Sequence, residues 1–187
     1  MANYKTKAVS EEQYNEILKT IDTGFLTSRP NPQISTILRL EANLGLRISD
    51  ILNLTLNDFV YDNGRFRLDI TEQKTGKKRE FTVPLQIYEY LRQYNKNNGT
   101  KDHELIFYIT ERAVQKHLKK VCDYLGYEGI STHSFRKFFA TSIYKDNDYD
   151  IVLVQKLLQH SSPETTQRYI GISQKQIESA LNKHIKL

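Results

Sequence analysis

The hydrophobic pattern changes period between Phe59 and Pro84, and this change limits what the chain can fold into. Asp62-Asn63-Gly64 is a hairpin signal, because the tight turn that matches strand twist needs residues tolerant of positive φ. Arg65–Thr71 then alternates as a half-buried strand does. Lys74-Thr75-Gly76-Lys77 supplies a second turn, and Arg79–Val83 reads as a third strand ended by Pro84. Short strands joined by tight turns predict an antiparallel arrangement. On either side, apolar residues recur at helical spacing. The expected class is mainly α with a small three-stranded antiparallel β-sheet (α+β).

Local signals place the helices. Ser10 with Gln13 is a capping-box pattern opening a helix that carries Tyr14, Ile17, Leu18 and Ile21 on one face. Gly24–Pro32 is a loop, and the next helix carries Ile34, Ile37, Leu38 and Leu44 before Gly45 stops it. Leu46–Leu54 reads as a further short helix. After the sheet, Leu85, Tyr88 and Leu91 mark a helix, followed by a polar loop over Lys96–Glu104. Thr110 is expected to cap a helix that buries Ala113, Val114, Leu118, Val121, Cys122 and Leu125 and ends at Gly126. Ser131 or Thr132 caps the helix from His133 to Tyr144, and Lys145–Asp150 is a turn with Asn147 suited to a left-handed conformation. Ile151–Leu158 is helical, and Ser162-Pro163 forms the N-cap and first-turn proline of a helix that contains Tyr169. The length fits a single domain over residues 1–187, with a polar lead over 1–8 and an amphipathic C-terminal tail over 174–187.

Composition narrows the chemistry. No apolar run approaches the ~20 residues of a membrane span, so no membrane partner is expected. Cys122 is the only cysteine, which excludes an intramolecular disulfide and fits a reducing, cytoplasmic setting. The 27 basic residues against 22 acidic give a net charge of +5, which permits an anionic polymer as partner without demanding one. One basic cluster, over residues 65–80, holds Arg65, Arg67, Lys74, Lys77, Lys78 and Arg79 against Asp69, Glu72 and Glu80. A second places Arg112, Lys116, Lys119 and Lys120 on the polar side of a helix, where a merely solvated face reads equally well. The five histidines lack metal-ligand spacing and Cys122 has no partner cysteine, so neither a metal nor any other cofactor is expected. A Gly-rich nucleotide loop and a G-x-S-x-G elbow are both missing. Catalysis, if any, falls to charged side chains and tyrosine.

His133 and Arg136 share one face at a helix start, where free backbone N–H groups suit a phosphate; alone, they read as well as a surface pair. His160, alone, is as readily a capping residue. The order of features says more. Arg47 in GLRISDILNL, Lys74 in EQKTGKKREFTVP, His133 and Arg136 in THSFR, His160 in LLQHSS and Tyr169 in TTQRYI together resemble the tyrosine recombinase (phage integrase) family, from about residue 8 to 171. The resemblance implies an integrase-like catalytic core of DNA breaking-rejoining enzymes. It implies Arg47, Lys74, His133, Arg136 and His160 as catalytic residues, Tyr169 as nucleophile, and Asp50 as an acidic residue orienting the site. Lys77, Lys78, Arg79, Arg112, Lys116, Lys119 and Lys120 are candidate DNA contacts. Double-stranded DNA is the implied partner, with self-association to a tetramer on DNA, in a bacterial or phage-encoded protein working at the nucleoid.

The chemistry agrees with the resemblance. A phosphodiester repels nucleophiles, and two guanidinium forks can neutralise it without a metal. Tyrosine, with a pKa of about 10, needs neighbouring cations and a base to attack as the phenolate. His133 is the candidate base and Lys74 the candidate acid for the departing 5′-oxygen. The covalent 3′-phosphotyrosine stores the bond energy, so rejoining needs no ATP. The chain departs from the family at Lys137, which follows Arg136 where the family often has histidine, and at Gln159, which stands for glycine before His160. A different turn is therefore expected there. The family's N-terminal core-binding domain is expected to be absent from this chain. A DNA-binding regulator without turnover and a type IB topoisomerase-like activity are the alternative readings.

Overall fold

A computed structural model of the chain describes residues 6–171, together with Asn182. The expectation for 174–187 falls, apart from Asn182, outside the described residues. The chain divides into two compact units, Met1–Phe139 and Ala140–Leu187.

In the first unit, α1 (Glu11–Thr23) opens on the capping box, with Ser10 accepting from the Gln13 N–H and the Gln13 side chain accepting from the Ser10 N–H. α2 (Pro32–Leu44) buries Ile34, Ile37, Leu38, Leu40 and Leu44 and ends on left-handed Gly45. The next helix is shorter than expected. α3 spans only Ile48–Ile51, because Asn53 and Leu54 close tight bonds three residues back and leave the helical path. The sheet has order β1-β2-β3 with both pairings antiparallel, over Phe59–Asp62, Arg65–Thr71 and Lys78–Val83. Asn63 and Gly64 both take positive φ, as the hairpin signal required.

α4 runs Leu85–Asn98, so the polar loop begins only at Gly99, three residues later than its composition suggested. Buried Asn95 shows why: this polar stretch still supplies a turn of packed helix. α5 (Glu111–Leu125) buries Val114, Leu118, Val121 and Cys122. Ala113 is exposed, one position off that stripe. α6 (Thr132–Asp146) begins at Ser131, whose N–H donates to Ser134 Oγ at 3.0 Å, and supplies residues to both units. The core of the first unit joins α1, α2, the sheet, α4, α5 and Phe135 of α6.

The second unit holds the rest of α6, then α7 (Ile151–Leu158) and α8 (Pro163–Ile170), which pack on each other. Asp150 caps α7 and Ser162 caps α8. The left-handed residues of the α6–α7 turn are Asp148 and Tyr149, not Asn147. Asn147 extends the helical bonding to Ile143 through both its backbone and its side chain, which pushes the reversal on to the next two residues. Among the described residues, no helix is long and apolar enough to cross a membrane.

Candidate active site

Arg47 sits at the N-cap of α3, where the chain leaves Gly45 in an extended conformation. Its Nη1 forms an ion pair with Glu72 Oε2 at 2.6 Å and lies 4.0 Å from Asp50 Oδ2. Asp50 is buried, and its other oxygen accepts from the Gln73 N–H at 2.8 Å. One short helix thus presents the arginine and fastens the β2–β3 turn directly beside Lys74. That turn closes through Glu72 N–H to the Lys77 carbonyl and Gly76 N–H to the Glu72 carbonyl, both 2.9 Å. Lys74 itself is exposed at its tip.

The first turn of α6 supplies His133 and Arg136. His133 is exposed and Arg136 is 2% exposed. The Arg136 Nη1 donates to the Gly45 carbonyl, which anchors the guanidinium beside the start of α3. Although the residue as a whole is exposed, partial desolvation of its ring by the surrounding protein holds the His133 imidazole below its ordinary pKa, and the charges of Arg136, Lys74 and Arg47 push it further down. Those three cations therefore bear on one imidazole, which is neutral at pH 7 and able to accept a proton. Arg47, Asp50, Lys74, His133 and Arg136 all belong to the first unit.

His160 and Tyr169 belong to the second unit. Gln159, at which a turn different from the family's is expected, takes a left-handed conformation (φ 54°) and caps α7. The His160 Nδ1 lies 3.0 Å from Thr166 Oγ1, and its ring meets Tyr169 edge-on, with centroids 5.2 Å apart at 78°. Thr166 is fully buried and lies within the same helix as Tyr169. The helix that carries the tyrosine thereby also orients the histidine.

The candidate DNA contacts separate. Arg112, Lys116, Lys119 and Lys120 are exposed on α5, with Lys119 paired to Asp123 at 2.8 Å. Lys77 and Lys78 are exposed on the hairpin, where Lys78 pairs with Asp69 and Glu80. Arg79 does not belong with them. It is 1% exposed, because residues 79, 81 and 83 of β3 share the face turned to the core. Its Nη1 donates to Glu72 Oε1 at 3.1 Å and its Nη2 to the carbonyls of Leu44 and Gly45 at 3.2 and 3.4 Å. Strand parity groups Arg79 with Phe81 and Val83, but only the packed sheet shows which of the two faces is the inner one.

Three residues of consequence escaped the sequence. Glu72 is 1% exposed and links Arg47 to Arg79. Burial pushes its carboxyl up, but hydrogen bonds from Thr75 and Arg47 and the arginine charges prevail and hold it below the usual carboxylate range. Glu41 is fully buried near Arg136, and burial raises it well above that range. Thr166 is the third. Among the described residues no cluster of His, Cys, Asp or Glu could hold a metal ion.

Known proteins share this architecture. The catalytic domain of bacteriophage HP1 integrase is 20% identical and superposes with a TM-score of 0.67 over 96% of each chain. The XerH site-specific recombinase bound to its difH substrate, a pre-cleavage complex, is 22% identical with a TM-score of 0.70, over 95% of this chain and 55% of that one. Both define the fold as that of recombinase and integrase catalytic domains. The chain belongs to the phage integrase family, whose model matches residues 7–176. Tyrosine recombinase XerC of Caldanaerobacter subterraneus subsp. tengcongensis is 31% identical over 181 residues, covering 92% of this chain and 49% of that protein. The chain spans roughly half the length of such curated relatives.

Proposed function

We infer that this chain carries the catalytic machinery of a tyrosine-type, site-specific DNA recombinase or integrase. The observation that carries the reading is that Arg136 is anchored on the Gly45 carbonyl beside Arg47, and Arg47 and Asp50 fasten the hairpin turn that bears Lys74, so that all three cations act on the His133 imidazole within one unit. An arrangement of that kind suits a single dianionic transition state. Two guanidinium groups take the non-bridging oxygens of a DNA phosphate, where stabilisation of developing charge contributes about 3–4 kcal/mol per well-placed donor. The Tyr169 oxygen attacks phosphorus and its proton passes to His133. The bond from phosphorus to the 5′-oxygen breaks, and Lys74 protonates the departing oxygen. Rejoining runs the same steps backwards with a 5′-hydroxyl from another strand. His160, held by Thr166, donates to the phosphate or sets the tyrosine. No cofactor or metal takes part in this scheme, and double-stranded DNA is the substrate.

A nicked suicide duplex tests the reading, because loss of the short cleaved strand traps the intermediate. Wild-type protein is expected to give an adduct that survives a denaturing gel, and Tyr169→Phe none. An adduct persisting in Tyr169→Phe would overturn the nucleophile. Absence of any adduct across DNA libraries would favour a binding regulator.

A further inference from the structure

We propose that Glu72 and Arg79 are positioning residues: a buried pair that fixes Arg47 and Arg136 relative to each other and ties both to the hairpin bearing Lys74. The proposal rests on the recombinase reading for the roles of Arg47, Arg136 and Lys74. Its geometry is a continuous relay. Arg47 Nη1 meets Glu72 Oε2 at 2.6 Å, Glu72 Oε1 accepts from Arg79 Nη1 at 3.1 Å, and Arg79 Nη2 reaches the Gly45 carbonyl at 3.4 Å. Arg136 donates to that same carbonyl. The Thr75 hydroxyl donates to Glu72 Oε2 at 2.7 Å, which brings in the Lys74 turn.

A purely structural role explains this poorly. A buried ion pair contributes little stability compared with apolar residues of the same volume. Here, moreover, two like charges are directed at one backbone oxygen, and burial together with Arg136 lowers the Arg79 pKa to about 10. The arrangement costs stability and fixes geometry. Guanidinium groups meant for phosphate must not collapse onto a carboxylate. Glu72 spends one oxygen on Arg79, so it holds Arg47 at one edge and leaves the rest of the fork for a ligand. The Phe81 ring, 5.1 Å from the Arg79 guanidinium carbon, supports the buried cation from the strand side.

The test compares Arg79→Met, Arg79→Lys and Glu72→Gln with wild type, each first checked for folding by circular dichroism and thermal unfolding. On a nicked suicide duplex at saturating protein, Arg79→Met is expected to slow adduct formation by about 100-fold, the scale of a small misplacement of a catalytic group, with DNA affinity within about threefold. Arg79→Lys keeps the charge near Glu72 but loses the fork, so it falls between. In an Arg47→Lys background, Arg79→Met should add little further loss, because the two act in series. A second readout needs no turnover: the Arg47 guanidinium N–H signals in NMR, sharp and slowly exchanging in wild type, should broaden in Arg79→Met and Glu72→Gln. Unchanged Arg47 signals in folded variants would overturn the proposal, as would a full additive loss in the Arg47→Lys background. If wild type forms no adduct on any DNA, the recombinase reading fails, while the NMR arm still decides whether the pair positions Arg47.

Discussion

Glu41 shows how one residue inside an apolar stripe can report on its surroundings. It is 0% exposed, and neither carboxyl oxygen has a hydrogen-bond partner among the described residues. Burial raises its pKa well above the ordinary value of 4.5, against the opposing pull of Arg136, so the acid is neutral where Arg136 is charged. The folded chain therefore holds a proton that the unfolded chain has released. Stability is full below about pH 4.5 and falls as pH rises toward the folded value, by at most about 1.4 kcal/mol per pH unit. Glu41→Met removes the linkage, so its unfolding free energy relative to wild type should be more favourable at pH 8 than at pH 5. Urea titrations at both pH values measure this, and a pH-independent difference would refute it. The stripe was legible, but the acid within it was not singled out. Ile34, Ile37, Leu38, Glu41 and Leu44 lie on one helical stripe, where a lone acid is carried into the core with its apolar neighbours.

At the scale of the element, the junction of α7 and α8 shows what a motif conceals. Gln159 holds a left-handed backbone (φ 54°), the region that favours glycine, at a conformational cost of roughly 1 kcal/mol. The His160 N–H reaches the Gln155 carbonyl at 3.1 Å, and the Gln155 side chain returns a bond to the His160 carbonyl at 3.2 Å. Gln159→Gly is expected to raise the unfolding free energy by a few tenths to about 1 kcal/mol, less than the full strain because glycine gains freedom when unfolded. Chemical denaturation checks this, and a destabilised variant would show that the Gln159 side chain outweighs its strain. Helix starts and stops were readable because caps act within four residues of chain. The place of Arg79 was not, because alternation on β3 identifies an inner face only once the sheet has a core beneath it.

Across the whole molecule, charge is the property that any contact with DNA reads first. Net charge is +5, and the exposed cations of α5 stand on a face clear of its apolar stripe. If that face neutralises phosphates, each lysine lost should reduce the slope of log affinity against log salt by about 0.9. Lys116→Ala with Lys120→Ala should therefore flatten the slope by nearly two in fluorescence anisotropy across a potassium chloride series. An unchanged slope would remove α5 from the interface. The family and the fold were legible from the order of short motifs, since each motif is local. The network beneath the arginines was not, because Glu72 meets Arg47, and Arg79 meets Gly45, only through tertiary register.

Gly45 carries one more consequence. A Cβ at this left-handed residue would overlap the Phe139 ring, so the position admits no side chain, yet its carbonyl receives both buried arginines. The common acceptor is thus main chain, which no substitution can delete. Mutational drift at this centre is confined to the donors: the protein can lose an arginine and keep the anchor, but any replacement of the glycine disturbs every arginine that uses it.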